Sequence, residues 1–246
     1  MVQLMKSPTF FLLILLAFNN PALDSGVNTK FQKDSMRYKR ENKMHILLMG
    51  ASVGRYWNIA ALPDRVNNHD YTFEYIHGGS RFDKSKKFQE IISRRENKPD
   101  ILIIKECAAY FPGDLELYKK LFKGWIKECR ENDIIPVPAT VVPITRLNPF
   151  KQFMIDILKI RNPFRFGNPF KKRRIKEIIE FNDWVRTFSE QNGLHVLDLE
   201  AALRHSEKKR YLRGNFARID GLHLNKKGYK ILDQIVIPLI KSVNGD

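Results

Sequence analysis

The chain has 246 residues, 43% of them hydrophobic and 28% charged. These are the proportions of one globular domain with room for a sizeable core, and they argue against an intrinsically disordered chain. The formal net charge of +16 favours anionic partners such as nucleic acid, anionic lipid or acidic polysaccharide, although a basic surface kept soluble by like charge accounts for the same number.

The N-terminus reads as an export signal. Lys6 precedes nine apolar residues, Phe10 to Phe18, followed by Asn19, Asn20 and Pro21. That run suits a signal-peptide h-region and falls short of the ~20 residues needed to span a bilayer. Residues 1–25 are therefore set aside as a signal peptide or N-terminal anchor, with Ala22 as a candidate cleavage position. The expected location is secreted or otherwise extracytoplasmic, which disfavours nucleic acid as a partner. Residues 26–43 form a polar, basic linker, and a folded domain is expected over 44–246.

Strand and helix patterns then alternate. Met44–Met49 is an apolar run ending in Gly50, the signature of a buried strand. Tyr71–Ile76 is a second strand closed by Gly78 and Gly79, and Phe88–Arg95 a helix. Pro99-Asp100 opens a third strand, Ile101–Ile104. Leu115–Glu131 is amphipathic, with Leu117, Leu121, Trp125 and Ile126 assigned to one side. Ile134–Val142 is a fourth strand whose prolines indicate a bent or edge path. Ile175–Asn192 is a helix stopped by Gly193, Leu194–Leu199 a fifth strand, and Lys226–Val243 the closing helix. This alternation predicts a flavodoxin-like three-layer α/β/α sandwich around a five-stranded parallel sheet, with ligands at the carboxyl ends of the strands.

Residues 146–176 break the alternation. They carry ten Lys/Arg against one acid, Asp156, and repeat Asn-Pro-Phe at 148–150, 162–164 and 168–170. Following the fourth strand, this insertion is expected at the ligand edge as a basic, aromatic flap. Phenylalanines covering the core beside solvated charges would produce the same pattern. Cys107 tops one strand and Cys129 lies near the bottom of the next helix, on the order of 20 Å away at ~1.5 Å rise per residue. Bridgeable Cα atoms lie within about 7 Å, so both are read as buried free thiols.

The first strand ends in Gly50-Ala51-Ser52-Val53-Gly54. A serine on such a strand-to-helix turn is exposed, and the helix-start N–H groups can face a developing oxyanion. The pentapeptide fits an α/β-hydrolase elbow, a dinucleotide-binding turn, or a hydrolase whose nucleophile follows its first strand. The elbow belongs deeper in a chain. A dinucleotide fingerprint needs glycine where Tyr56 stands, and none of the eight tyrosines has the lysine four residues later that short-chain dehydrogenases require.

Asp220-Gly221-Leu222-His223, just before the last helix, decides among them. Three residues apart on a turn, the carboxylate can fix the imidazole tautomer and hold the other ring nitrogen toward a serine. With Ser52 after the first strand and this Asp-x-x-His before the last helix, residues 44–243 resemble the SGNH (GDSL-like) hydrolase superfamily. The resemblance implies a serine ester hydrolase with Ser52 as nucleophile, His223 as base and Asp220 orienting it. It also implies an oxyanion hole from Ser52 and Gly79, with Gly78 as the close alternative, and no metal or cofactor.

The chain departs from the family's third block, which ends in an oxyanion-donating Asn. It reads Lys105-Glu106-Cys107-Ala108-Ala109-Tyr110. A Glu106 carboxylate would repel an oxyanion unless protonated or paired, and a backbone N–H near Cys107 to Ala109 would have to substitute for the Asn. Glu106 is expected in the pocket region, and His77 beside it. The implied substrate is an acyl ester of a carbohydrate or lipid. An O-acyltransferase on extracellular polysaccharide, or a non-catalytic scaffold holding an anionic glycan or membrane surface, are the alternatives.

Overall fold

A computed structural model describes residues 43–79, 81–108, 115–145 and 172–245. The expected signal segment, the linker up to residue 42 and nearly all of the expected flap lie outside these residues.

Four parallel strands form the sheet: β1 (Met44–Gly50), β2 (Tyr71–His77), β3 (Ile101–Lys105) and β4 (Ile135–Ala139), in the order β2-β1-β3-β4. β1 is central, pairing with β2 from Met44↔Tyr71 to Gly50↔His77 and with β3 from Ile46↔Ile101 to Met49↔Ile104. Both of its faces are covered, so Ile46, Leu47, Leu48 and Met49 are all 0% exposed. That is why its sequence reads as a continuous apolar run rather than an alternation.

Among the described residues the helices are α1 (Ser52–Trp57), α2 (Leu62–Val66), α3 (Arg81–Ile92), α4 (Leu115–Glu131), α5 (Lys172–Gln191), α6 (Leu199–Leu203) and α7 (Lys226–Asn244). They divide between the two faces. Ile46 and Leu48 join a core with Trp57, Leu62, Leu203, Leu232, Val236 and Ile240. Leu47 and Met49 join one with Phe88, Phe122, Trp125 and Phe181. The three-layer sandwich expected from the sequence is present. In α4 the inward stripe is Tyr118, Phe122, Trp125, Ile126 and Cys129, whereas Leu117 is exposed. The apolar face of α4 is therefore centred one residue later than the sequence suggests.

The expected fifth strand at 194–199 does not form. Only Leu197 pairs with β4, through Leu197 N–H to the Pro138 carbonyl (2.9 Å) and Thr140 N–H to the Leu197 carbonyl (3.1 Å). Ile135 donates toward the β3 side, to the Asp100 carbonyl, so by alternation positions 136, 138 and 140 face the open edge. Two of these are Pro136 and Pro138, which have no N–H to give, and the ladder cannot extend backward from Leu197. Forward, Asp198 accepts from Ala201 N–H and caps α6 instead.

A polar network takes the place of that strand. Glu200, 1% exposed, receives Arg186 (2.9 Å), Asn182 (2.9 Å) and Arg210. Arg186 also grips Asp198 (2.8 Å), and Asn182 brackets the backbone of Val141. Burial pulls the Glu200 and Asp198 carboxyls upward, but arginine hydrogen bonds hold both below their ordinary values. A depressed folded-state value stabilises the fold above the ordinary carboxyl range and is lost as pH falls through it. Glu200→Ala, which strands Arg186 and Arg210 without their partner, should cost roughly 3–5 kcal/mol in urea denaturation at neutral pH. The gap between variant and wild type should close as both are titrated to acid.

Candidate active site

β1 delivers Ser52 to the carboxyl edge of the sheet. Gly50 ends the strand, Ala51 stays extended, and Ser52 opens α1. Gly54 is required on the next turn, because a Cβ there would lie 2.7 Å from the Tyr75 ring. Tyr75 in turn fastens the elbow. Its hydroxyl sits 2.9 Å from the Ala51 carbonyl, 3.1 Å from that of Gly50 and 2.8 Å from His77 Nδ1. With one proton, which goes to the carbonyls, it must accept from His77, placing a hydrogen on His77 Nδ1. Burial pushes the Tyr75 hydroxyl up to about 12, so it remains a donor.

The C-terminal loop brings the second half of the site. Ala217 and Leu224 pair antiparallel, Arg218 N–H donates to the His223 carbonyl (2.8 Å), and Gly221 takes φ +65° at the tip. Thr145 N–H and Oγ1 hold the Gly221 carbonyl at 2.9 and 3.1 Å. Asn225 caps α7 through Gly228 N–H and clasps the Asn215 carbonyl at 2.8 Å. Across this face Asp233 of α7 receives Trp57 Nε1 (2.7 Å) and both arms of Arg65. That ties the serine-bearing segment to the helix that follows His223.

Three side chains meet in a relay. Asp220 Oδ1 accepts the Leu222 and His223 N–H groups, each at 2.9 Å, and Oδ2 lies 2.6 Å from His223 Nδ1. His223 Nε2 lies 3.0 Å from Ser52 Oγ. Burial pulls the Asp220 carboxyl up, but hydrogen bonds from the His223 and Leu222 backbone and the His223 ring keep it below its ordinary value. An ionised Asp220 accepts only, so Nδ1 carries the proton and Nε2 is free to accept from Ser52. Tyr56 meets the His223 ring edge-on at 5.3 Å, and Arg218 stacks 4.9 Å over Tyr56. Among the described residues no cluster of His, Cys, Asp or Glu is arranged to hold a metal ion.

No protein-family model matches the chain, and no curated protein matches it by sequence. Solved structures do. A GDSL-like lipase from Bacteroides thetaiotaomicron superposes with a TM-score of 0.62 at 15% identity, covering 88% of this chain and 98% of its own. The lipase/acylhydrolase from Enterococcus faecalis gives 0.56 at 16% identity, covering 81% and 96%. The chain has the SGNH hydrolase fold. The periplasmic domain of a Salmonella ser. Paratyphi A lipopolysaccharide acetyltransferase shares it, with a TM-score of 0.55 at 16% identity over 81% of this chain and 84% of that one.

Within the SGNH fold the remaining sequence candidates separate. Gly78 N–H extends the β1–β2 ladder to the Gly50 carbonyl at 2.8 Å, so it is committed. Among the described residues of that loop this leaves the Gly79 N–H. His77 is exposed and touches the elbow through Tyr75. The Glu106 carboxylate is buried, 2% exposed, and pairs with Lys84 Nζ at 2.8 Å. Both cysteines are buried and free, and Cys107 Sγ lies 3.9 Å from Ser52 Oγ. Lys84, Tyr75 and Thr145 carry no motif that marks them in the sequence, and the register of β2 is the only cue for Tyr75. Gly54→Ala should destabilise the protein by about 1–3 kcal/mol, the cost of overpacking. A double-mutant cycle with Tyr75→Ala, read by thermal denaturation, should return most of that loss. Additive effects would mean that Gly54 is not held by the ring.

Proposed function

We propose that the chain is an SGNH-type serine ester hydrolase working through an acyl-Ser52 intermediate. The observation that carries this reading is the continuous relay from Asp220 through His223 to Ser52, at 2.6 and 3.0 Å. As Ser52 Oγ attacks an ester carbonyl, His223 Nε2 takes its proton, and Asp220 stabilises the imidazolium that results. The Ser52 and Gly79 N–H groups receive the oxyanion. Collapse breaks the ester C–O bond, and His223 returns the proton to the departing alcohol. Water, deprotonated by His223, then releases the carboxylate product from Ser52. A second hydroxyl in place of water turns the same steps into O-acyl transfer.

The mouth of the site supports a substrate class. Arg55, three residues after Ser52, and Arg218, stacked on the Tyr56 ring that meets His223, are exposed, and Ile219 is fully exposed between Arg218 and Asp220. Two cations and an apolar side chain suit an acylated carbohydrate or lipid that bears a carboxylate or phosphate. The apolar run Phe10–Phe18 supports an extracytoplasmic location for that substrate.

A fluorophosphonate probe should label the protein, and Ser52→Ala should abolish both labelling and hydrolysis of p-nitrophenyl acetate. Asp220→Asn, which disturbs the tautomer, should lower kcat by roughly 10⁴-fold. Asp220, held below its ordinary value by the backbone and ring hydrogen bonds of His223 and Leu222, should stay ionised through the ordinary carboxyl range, so a pH–rate profile should show no loss of activity from its protonation there. Arg218→Gln should selectively slow an anionic ester relative to a neutral one. Labelling that persists in Ser52→Ala would refute the serine mechanism.

A further inference from the structure

Beside the nucleophile lies a cluster of charges with almost no contact with water. Lys84 and Lys105 are 0% exposed and Glu106 is 2% exposed. Lys84 Nζ donates to Glu106 Oε2 at 2.8 Å and to the Gly79 carbonyl at 3.3 Å. Lys105 Nζ donates to the Glu106 carbonyl at 2.8 Å. The aliphatic part of Lys105 runs along Gly50, 3.4 Å from where a Cβ would stand, and Lys84 Cγ fills the space a Gly78 side chain would take. The three residues thus touch the last residue of β1, the loop after β2 and, through Glu106 itself, the start of the loop after β3.

Stability does not account for such a cluster. A buried ion pair gains little over apolar groups of the same volume, because desolvation offsets its attraction. Here a second buried lysine is added, leaving two cations to one anion. Burial, with Lys84 nearby, pushes the Lys105 ammonium down to about 8, while Cys107 and Glu106 act in its favour. Keeping it as an ammonium there costs the fold.

Position does account for it. In a trans peptide the carbonyl and the following N–H point in opposite directions. Lys105 grips the Glu106 carbonyl and so fixes the direction of the Cys107 N–H, whose side chain reaches to 3.9 Å from Ser52 Oγ. On the other loop, Gly78 N–H is pinned to the Gly50 carbonyl and the Gly79 carbonyl to Lys84. The Gly79 N–H belongs to the peptide between these two pinned planes.

We propose that Lys84, Glu106 and Lys105 form a positioning cluster for the oxyanion hole, aiming the Gly79 and Cys107 N–H groups and placing one net positive charge beneath the oxyanion. This rests on the serine-hydrolase reading above. In that reading the anionic Glu106 does not oppose the developing charge, because its own charge is spent on Lys84. The surplus cation, in a water-free site of low dielectric, favours the transition state over the neutral ester. The cluster therefore acts on kcat and not on ground-state binding.

The test measures p-nitrophenyl acetate hydrolysis by the full chain as wild type, Ser52→Ala, Lys105→Met and the double variant Lys84→Met/Glu106→Leu. The double variant exchanges the buried pair for apolar groups of similar volume, which the fold should tolerate. Lys105→Met and the double variant should lose kcat by roughly 100- to 1,000-fold, the range for one oxyanion donor. Their KM should stay within about twofold and their thermal midpoints near wild type. If Ser52→Ala is inactive but both cluster variants keep their kcat, the inference is overturned and the serine reading stands. Unfolding of either variant, or a loss carried by KM, also overturns it, since the cluster would then serve structure or binding. Hydrolysis undiminished in Ser52→Ala would remove the serine reading itself.

Discussion

The parallel pairing of β1 with β2 on one side and β3 on the other fixes where chemistry can occur. Three strands running the same way end together, and the residues that follow them, Ser52, Gly79 and Glu106-Cys107, are neighbours for that reason alone. Full burial of Ile46–Met49 holds this register, because a slip of one residue would exchange the two faces of a strand packed between two cores. The partner of Ser52 arrives from 171 positions further along the chain. Its approach is set by the loop that Thr145 and Asn225 hold, and by the Trp57–Asp233–Arg65 contact that binds α1 and α2 to α7.

Two polar networks flank this edge and differ in character. Around Glu200, three arginines and Asn182 surround a carboxylate and fasten the sheet edge left open by the prolines of β4. Its contacts fall on structural elements away from Ser52, and its consequence is stability. Around Glu106, two lysines and one carboxylate reach the strand ends and loops that carry the site, with Tyr118 of α4 packed against the carboxylate. Desolvation makes the second arrangement the harder one to maintain, which is why its presence points to function.

Much of this was legible in the sequence, for identifiable reasons. The strands β1 to β4 announce themselves as short apolar or β-branched runs between turn residues, and α4 and α7 as amphipathic periods. The meeting of Ser52 with Asp220 and His223 follows from the strand order and from Asp-x-x-His before the last helix. The fifth strand was misread because Leu194–Leu199 has strand composition, while the side on which Pro136 and Pro138 point depends on a register that only pairing reveals. Leu117 was assigned to the wrong face by a shift of one residue. Nothing in the sequence separates Gly78 from Gly79, because the ladder bond from Gly78 N–H to the Gly50 carbonyl depends on strand pairing. Lys84 was invisible, because a lysine on a charged helix gives no sign that it turns inward to meet Glu106.

Acyl transfer through Ser52, as proposed, leaves a covalent mark on that residue. The most direct measurement is peptide mapping by mass spectrometry after mixing the protein with excess p-nitrophenyl acetate and quenching in acid within the first turnover. A single acetyl group should appear on the peptide containing Ser52, be absent from Ser52→Ala, and be strongly reduced in His223→Gln, which lacks the base that takes the Ser52 proton. An acetyl group found instead on Cys107, the thiol 3.9 Å away, or hydrolysis with no acyl-enzyme at all, would contradict it.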